Sequence, residues 1–144
     1  MKLKDFDFRI LKHKNERENY ASCNNDECVC NSAFLYGDEA KFRLGEFILS
    51  GEKTGQETQV ELYTGIKDSC GNKIYEKDIL KVSNKIKDEE DEEFVAIAKK
   101  YTDDSIPLYF MLYEPNRKNW YDFEYYETEI IGNIHEVEIG KVYF

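Results

Sequence analysis

Short runs of β-branched and aromatic residues, separated by turns that contain glycine, asparagine or aspartate, are the feature that most limits how this chain can fold. The 144 residues include 11 Tyr, 9 Phe and 1 Trp but only 2 Met. This balance favours half-buried pleated surfaces over helix bundles. In the first run, Phe6, Phe8 and Ile10 alternate with Asp7 and Arg9, which predicts a strand with one buried face. We therefore expect an all-β fold.

Further runs of this kind continue along the chain. Residues 60–62 and 74–82 predict a hairpin-like unit, because Gly65 and residues 68–72 supply turn residues between them. Pro115 is predicted to lie in a turn. Five more short strands are predicted at residues 94–98, 106–113, 121–125, 129–134 and 141–144.

One segment has helical periodicity. Asp38 is a candidate N-cap, and Gly51 follows the last periodic residue. An alternating strand through the same segment is disfavoured because Glu46 interrupts it. We predict one helix over residues 38–51, and the apolar residues that share its packed face are Ala40, Leu44, Phe47 and Ile48.

Two polar segments interrupt the predicted strands. Residues 13–33 contain few apolar side chains and three cysteines, which predicts a long loop or an insertion. Residues 85–93 include six consecutive acidic residues, whose mutual repulsion predicts a solvated loop. Since 144 residues is the usual length of one domain, we predict a single domain over residues 1–144.

The net charge limits the classes of partner. Lys and Arg number 20 against 30 Asp and Glu, so the net charge is −10. This balance repels phosphate backbones and anionic membrane surfaces, and we expect no nucleic-acid binding. No run approaches the roughly 20 apolar residues of a membrane span. The first residues have no apolar segment of the kind found in secretory signals, so we expect a cytoplasmic protein that does not associate with membranes.

The four cysteines are expected to be thiols in a reducing cytoplasm. Zinc would need Cys70, His13 or His135 as a fourth ligand beside the three cysteines of the polar loop. The spacing lacks the paired knuckles of structural zinc sites, so we predict neither a metal nor another cofactor. A Cys70 thiol activated by His135 is a weaker alternative, because no catalytic motif surrounds either residue. The cysteines are Cys23, Cys28, Cys30 and Cys70.

Residues 63–82, with the sequence YTGIKDSCGNKIYEKDILKV, resemble the signature of the YopX family of phage and prophage proteins. Residues 6–10 and 129–136 resemble the opening and closing motifs of the same family, in the expected order. Lys77 stands where the family usually has glycine, and Val137 and Glu138 replace asparagine and proline. The resemblance implies an all-β pseudo-barrel of short strands capped by one helix and encoded by a phage or prophage. It implies no established activity.

The polar residues of this signature form the candidate site. Paired carboxylates beside a lysine are a set that acid–base chemistry uses. A structural turn explains the same residues, because Gly65 and Gly71 permit positive φ, and Asp68 and Asp78 can each accept a hydrogen bond from the amide two residues ahead. We predict that the structural explanation is the correct one and that there is no catalytic residue. The candidate binding residues are Tyr63, Thr64, Gly65, Lys67, Asp68, Gly71, Tyr75, Glu76 and Asp78.

A second cluster consists of aromatic residues with polar tips. Such residues suit a protein interface, although they could instead line a small barrel with their hydroxyls at its rim. Interleaved carboxylates disfavour stacking on single-stranded bases. The cluster contains Tyr109, Tyr113, Trp120, Tyr121, Tyr125 and Tyr126.

We therefore expect a non-enzymatic accessory protein that binds another protein or itself, and a homo-oligomer is expected. One alternative is a small-ligand or enzymatic site at the mouth of the barrel. A second alternative is an acidic decoy that mimics DNA and occupies a nucleic-acid-binding protein of the host. The residues proposed for the barrel-mouth site are Lys67, Asp68, Tyr75 and Asp78.

Overall fold

A computed structural model describes residues 7–12, 33–50, 59–86, 92–103, 106–137 and 143–144. Strands dominate the described residues and form two sheets, one of which curls into a half-barrel, so the predicted all-β fold is confirmed. The internal contacts divide the chain into two compact units, residues 1–62 and 63–144. The single domain over residues 1–144 stays a prediction. Of the predicted cysteine-containing loop, only Ala33 lies within the described residues.

The first unit contains a small antiparallel sheet and the helix. The central strand, β1, pairs with β2 on one side and with the beginning of β3 on the other. The first strand and the helix are thus found where the sequence predicts them. The elements of this unit are β1 (Phe8–Leu11), β2 (Phe34–Tyr36), α1 (Gly37–Ser50) and the first residues of β3 (Val60–Lys67).

The packed face of α1 is narrower than predicted. Ala40 is fully buried and Leu44 packs against the same cluster, which includes Phe8 of β1. Ile48, predicted on this face, is 72% exposed, because at 100° per residue it lies about 80° around the axis from Ala40. Asp38 lies within the first turn instead of capping it, since the helix begins at Gly37. No helix in the described ranges is long and apolar enough to cross a membrane.

β1 is buried on both faces, which corrects the prediction of one buried face. Arg9 is only 3% exposed, and its Nε donates a hydrogen bond to Oε2 of Glu61 at 2.7 Å. The guanidinium carbon of Arg9 also lies 3.8 Å from the centre of the Phe34 ring. A buried charge requires such pairing, and alternation along one strand cannot reveal a partner on another strand.

The second unit contains the end of β3, strand β4 and a five-stranded sheet with the order β8-β7-β6-β5-β9. Each pair of neighbours is antiparallel. Its elements are β4 (Lys73–Tyr75), β5 (Asp78–Asn84), β6 (Phe94–Asp103), β7 (Ile106–Glu114), β8 (Asn119–Tyr121), β9 (Tyr126–Asn133) and α2 (Ile134–Val137). One face of the sheet carries the core cluster of Ile74, Leu80, Val82, Ala96, Ala98, Leu112 and Phe123.

Two predicted strands end differently in the structure. Phe123–Tyr125 forms a single 3₁₀ turn because the Asp122 carboxylate accepts a hydrogen bond from the Glu124 amide at 3.0 Å and caps the turn. Ile134 begins α2. The predicted strand residues Tyr143 and Phe144 lie in no strand, and residues 141–142 lie outside the described residues.

The predicted acidic loop is described only at its ends. Residues 87–91 lie outside the described residues, whereas Glu92 and Glu93 are exposed immediately before β6. Glu92 pairs with Arg117 at 2.8 Å and Glu93 with Lys81 at 2.9 Å. A hydrogen bond to the acidic partner raises the pKa of both cationic side chains. Exposed pairs of this kind contribute little to stability, as expected for a solvated segment.

Candidate functional site

The signature residues lie on the β3–β4 hairpin and on the turn that leads into β5. The hairpin pairs Tyr63 with Tyr75 and Lys67 with Lys73. β3 therefore has three residues between its paired positions where β4 has one, which is a β-bulge. The rings of Tyr63 and Tyr75 lie 5.7 Å apart, and Nζ of Lys73 lies 5.3 Å from the centre of the Tyr63 ring.

Thr64 and Gly65 build the bulge. Gly65 has a φ of +83°, in the left-handed region that glycine adopts without strain. The Thr64 hydroxyl donates to the Ile74 carbonyl at 2.7 Å and accepts from the Ile66 amide at 3.2 Å. The hydroxyl thus provides a hydrogen-bond partner for one backbone amide of the bulge and for one backbone carbonyl of the facing strand, β4. Both residues thus have a structural role.

Asp68 organises the hairpin turn. Its Oδ1 accepts hydrogen bonds from the amides of Cys70 at 3.0 Å and Asn72 at 2.7 Å. Its Oδ2 accepts a third bond from the amide of Ile130, 62 residues away in β9, at 3.1 Å. Asp68 is 7% exposed. The prediction that Asp68 binds turn amides is confirmed, and the bond to β9 is an additional contact.

The same turn covers part of the outer edge of β9. β9 is an outermost strand of the five-stranded sheet. The Ser69 amide donates to the Thr128 carbonyl at 2.8 Å, and the Asp68 carboxylate binds the Ile130 amide. Outermost strands present backbone groups that invite pairing with other chains. The signature turn satisfies two of these groups in β9.

Gly71 and Asp78 both form turns, but Asp78 binds a different amide from the one predicted. Gly71 has a φ of +85°, and its amide donates to the Asp68 carbonyl at 3.0 Å. Oδ2 of Asp78 accepts a hydrogen bond from the Tyr75 amide at 2.9 Å. Asp78 therefore binds an amide three residues before it, whereas the sequence predicted an amide after it.

Lys77 occupies a glycine-like backbone conformation. Its φ is +69°, at the position where the signature usually has glycine. The Lys77 amide donates to the Ala98 carbonyl at 2.7 Å, and the Lys77 carbonyl accepts from the Ile134 amide at 2.9 Å. These bonds attach the turn to β6 and α2. An L-residue held in the left-handed region is strained.

The other signature side chains are Glu76 and Lys67. Glu76 is 5% exposed, and its Oε2 lies 3.4 Å from Nζ of Lys100. Lys67 is exposed at the end of β3. Four of the candidate residues therefore lie in or beside two consecutive turns, with Asp68 and Gly71 at the first and Glu76 and Asp78 at the second. The other five lie in the strands of the hairpin: Tyr63, Thr64, Gly65 and Lys67 in β3, and Tyr75 in β4.

Metal binding is not indicated within the described residues, where no group of three or more His, Cys, Asp and Glu side chains is placed to hold an ion. Cys70 is a free, exposed thiol, and His135 is 5% exposed in α2. The other proposed ligands lie outside the described residues, so the prediction for them stays a prediction. They are His13, Cys23, Cys28 and Cys30.

The aromatic residues identified in the sequence lie in three different places. Tyr121 and Tyr126 pack on the core side of the sheet, with ring centres 4.7 and 5.8 Å from that of Phe94. Burial raises the pKa of Tyr126. Tyr125 lies in the 3₁₀ turn and is 66% exposed. By strand alternation, the opposite face of the sheet carries Tyr109, Tyr113 and Trp120.

Tyr101, Tyr109, Tyr113 and Trp120 form an aromatic patch on β6, β7 and β8. The centre of the Trp120 ring lies 4.8 Å from that of Tyr113 and 5.1 Å from that of Tyr101. The ring centres of Tyr101 and Tyr109 lie 5.4 Å apart. Nζ of Lys99 lies 4.5 Å from the centre of the Tyr113 ring. Trp120 is 38% exposed and the three tyrosines are half-buried. The sequence did not indicate Tyr101, which joins the patch only through pairing of β6 with β7.

Cross-strand pairing connects this patch to β9. Trp120 pairs with Tyr113, Tyr113 with Ile97, Ile97 with Ile79, and Ile79 with Gly132. Directly paired residues project from the same face of a sheet, so these five residues form one cross-strand row over all five strands. Ile79 and Ile97 are buried in the middle of the row, and Trp120 is partly exposed at one end.

A comparison with protein-family models tests the family resemblance of residues 63–82. The family model described as YopX protein matches residues 4–137. This chain belongs to the YopX protein family. Neither the curated proteins nor the solved structures contain a match to the chain. The family match includes the signature hairpin, the aromatic patch and β9, and it ends before Tyr143.

Proposed function

We propose that this YopX-family chain is a phage- or prophage-encoded accessory protein that acts in the bacterial cytoplasm as a non-enzymatic protein-binding module. The aromatic patch is its contact surface. The observation that carries the proposal is the partly exposed Trp120, packed against the half-buried Tyr101 and Tyr113 near one side of the sheet. Trp and Tyr are enriched among the residues that contribute most to protein–protein binding.

The signature hairpin supports a scaffold role. The Asp68 carboxylate accepts hydrogen bonds from three backbone amides, and the Asp78 carboxylate accepts a hydrogen bond from the Tyr75 amide across its turn. Carboxylate oxygens that already accept hydrogen bonds from backbone amides have fewer lone pairs available to bind a substrate. These contacts weigh against the small-ligand or enzymatic site beside Lys67, Asp68, Tyr75 and Asp78.

Self-association is the form of binding that we expect first. At one side of the five-stranded sheet, the signature turn occupies part of the β9 edge. At the other side, β8 carries Trp120. Two copies with a net charge of −10 repel one another, so their association must depend on aromatic and apolar contact. Salt screens that repulsion and should therefore strengthen the association.

Sedimentation velocity tests this proposal with a matched pair of variants. Trp120→Ala removes the exposed end of the patch, and Tyr125→Ala removes an aromatic side chain that is 66% exposed in the 3₁₀ turn. We expect the wild type and Tyr125→Ala to form oligomers at tens of micromolar, and Trp120→Ala to sediment closer to 17.1 kDa. The oligomer fraction should increase between about 0.05 and 0.5 M salt.

Two outcomes would contradict this interpretation. A wild-type mass of 17.1 kDa at every protein and salt concentration would refute self-association. Equal effects of the two variants would refute the assignment of the patch. The acidic decoy predicts a third pattern, in which a nucleic-acid-binding protein is captured at low salt, released at high salt and bound equally well by Trp120→Ala.

A further inference from the structure

The cross-strand row begins at Gly132, and a tyrosine from another part of the unit occupies the place of the missing side chain. A Cβ at Gly132 would lie against the Tyr143 hydroxyl, 2.6 Å from Cζ of Tyr143 and 2.9 Å from Oε2 of Glu136. Gly132 is not among the described glycines with positive φ. Glycine is therefore required here for space, and Tyr143 fills that space.

Glu136 and Asn133 supply the polar part of this site. The Tyr143 hydroxyl donates a hydrogen bond to Oε2 of Glu136. Nδ2 of Asn133 donates to the other oxygen of the same carboxylate at 3.2 Å. Oδ1 of Asn133 accepts from the His135 amide at 3.0 Å. Asn133 thus holds the carboxylate in place beside the space over Gly132, and these three residues, Gly132, Asn133 and Glu136, define the phenol notch.

The protonation of the Tyr143 hydroxyl agrees with its role as a hydrogen-bond donor to Glu136. Burial, together with the hydrogen bond to Glu136, raises the pKa of Tyr143 to about 12. The hydroxyl is therefore protonated at neutral pH and serves as the donor to the carboxylate. A phenylalanine ring would fill the same space but would leave the carboxylate without this donor.

We propose that the phenol notch is a binding site for a tyrosyl side chain, filled in this chain by its own Tyr143 and open to a tyrosine-bearing peptide when Tyr143 is absent or released. Gly132 provides the space, and Glu136 provides a carboxylate acceptor that distinguishes tyrosine from phenylalanine. Asn133 fixes the acceptor. The occupant we assign is the segment of the same chain that contains Tyr143.

The tethered Tyr143 competes with any peptide supplied in solution. A tethered group acts at an effective concentration on the order of millimolar. If a peptide binds the emptied notch with a Kd of about 0.1 mM, competition by Tyr143 should weaken its binding to the wild type about tenfold. Removing the Tyr143 side chain should therefore reveal the site.

The test uses the full chain and a fluorescein-labelled peptide with the sequence of residues 138–144, EIGKVYF. Fluorescence anisotropy should show binding to Tyr143→Ala about tenfold tighter than to the wild type. A second peptide with phenylalanine in place of the tyrosine should bind Tyr143→Ala at least about tenfold more weakly, because it cannot donate to the carboxylate.

The double variant Gly132→Ala/Tyr143→Ala is the matched control. In the absence of the Tyr143 ring, the nearest neighbour of the added methyl group is the flexible end of Glu136, so this variant should keep the thermal midpoint of Tyr143→Ala. It should nevertheless lose peptide binding, because the methyl group fills the notch. Equal peptide binding by the two variants would overturn the proposal. So would equal binding of the tyrosine and phenylalanine peptides, or equal binding by the wild type and Tyr143→Ala.

Discussion

Replacing Lys77 with glycine is expected to stabilise the protein. The backbone of Lys77 has a φ of +69°, where an L-residue costs about 1–2 kcal/mol and glycine costs little. Glycine also increases the conformational entropy of the unfolded chain, which offsets about 0.5–1 kcal/mol of this gain. The expected net effect is an increase of about 0.5–1 kcal/mol in the free energy of unfolding.

The backbone at this position has little freedom to relax. The Lys77 amide binds the Ala98 carbonyl at 2.7 Å, and the Lys77 carbonyl binds the Ile134 amide at 2.9 Å. Because both bonds use backbone atoms, the Lys77→Gly variant retains them. The substitution therefore tests the conformation of the residue with these two backbone hydrogen bonds unchanged.

Urea denaturation provides the measurement, with Lys77→Ala as the control. Alanine removes the lysine side chain but stays in the left-handed region, so its free energy of unfolding should be within about 0.5 kcal/mol of the wild-type value. For a slope of about 1.5 kcal/mol per molar, Lys77→Gly should raise the urea midpoint by about 0.3–0.7 M. A midpoint for Lys77→Gly equal to or below that of Lys77→Ala would refute this reasoning.

Three further predictions concern stability and titration. Asp68→Ala should lower the free energy of unfolding by about 2–4 kcal/mol in urea, because three amides lose their acceptor, whereas Lys67→Ala at an exposed site should cost less than about 0.5 kcal/mol; equal costs would contradict the turn assignment. Glu61→Ala should cost about 3–5 kcal/mol because it leaves the Arg9 charge buried without this carboxylate, and Arg9→Met combined with Glu61→Leu should cost less than Glu61→Ala in the same assay; a more costly double variant would refute the pairing. The stabilising contribution of the Tyr143 phenol should be complete below pH 10 and lost as the pH rises toward 12, because its pKa is raised. The phenolate absorbance difference between the wild type and Tyr143→Phe should therefore titrate near pH 12, and titration near pH 10 would contradict the burial of the phenol and its bond to Glu136.

The local turn chemistry could be predicted from the sequence because its partners are close along the chain. Asp68 binds amides two and four residues ahead, and Gly71 lies in the same turn with positive φ. These interactions depend on residue types whose conformational preferences are known without the fold. The third bond of Asp68, to Ile130, depends on the order of strands and could not be predicted in this way.

The contacts that the sequence missed join residues far apart along the chain or depend on close approach. Arg9 is buried because Glu61 faces it from β3, 52 residues away. Gly132 is part of the closing motif, and its requirement for space becomes visible only with Tyr143 packed over it. Alternation along β8 places Trp120 and its neighbour Tyr121 on opposite faces, but which of these faces is the core side depends on the pairing of Tyr121 with Leu112.

The central claim is that the aromatic patch contacts protein, and site-specific photo-crosslinking in bacterial cells tests it most directly. A photoreactive amino acid would replace Trp120 in one variant and, as the control, the more exposed Tyr125 in another. We predict a discrete crosslink from position 120, either to a second copy of this chain or to another protein, and none of comparable yield from position 125. Crosslinks of equal yield from both positions, no protein crosslink from position 120, or crosslinking to nucleic acid alone would contradict the claim.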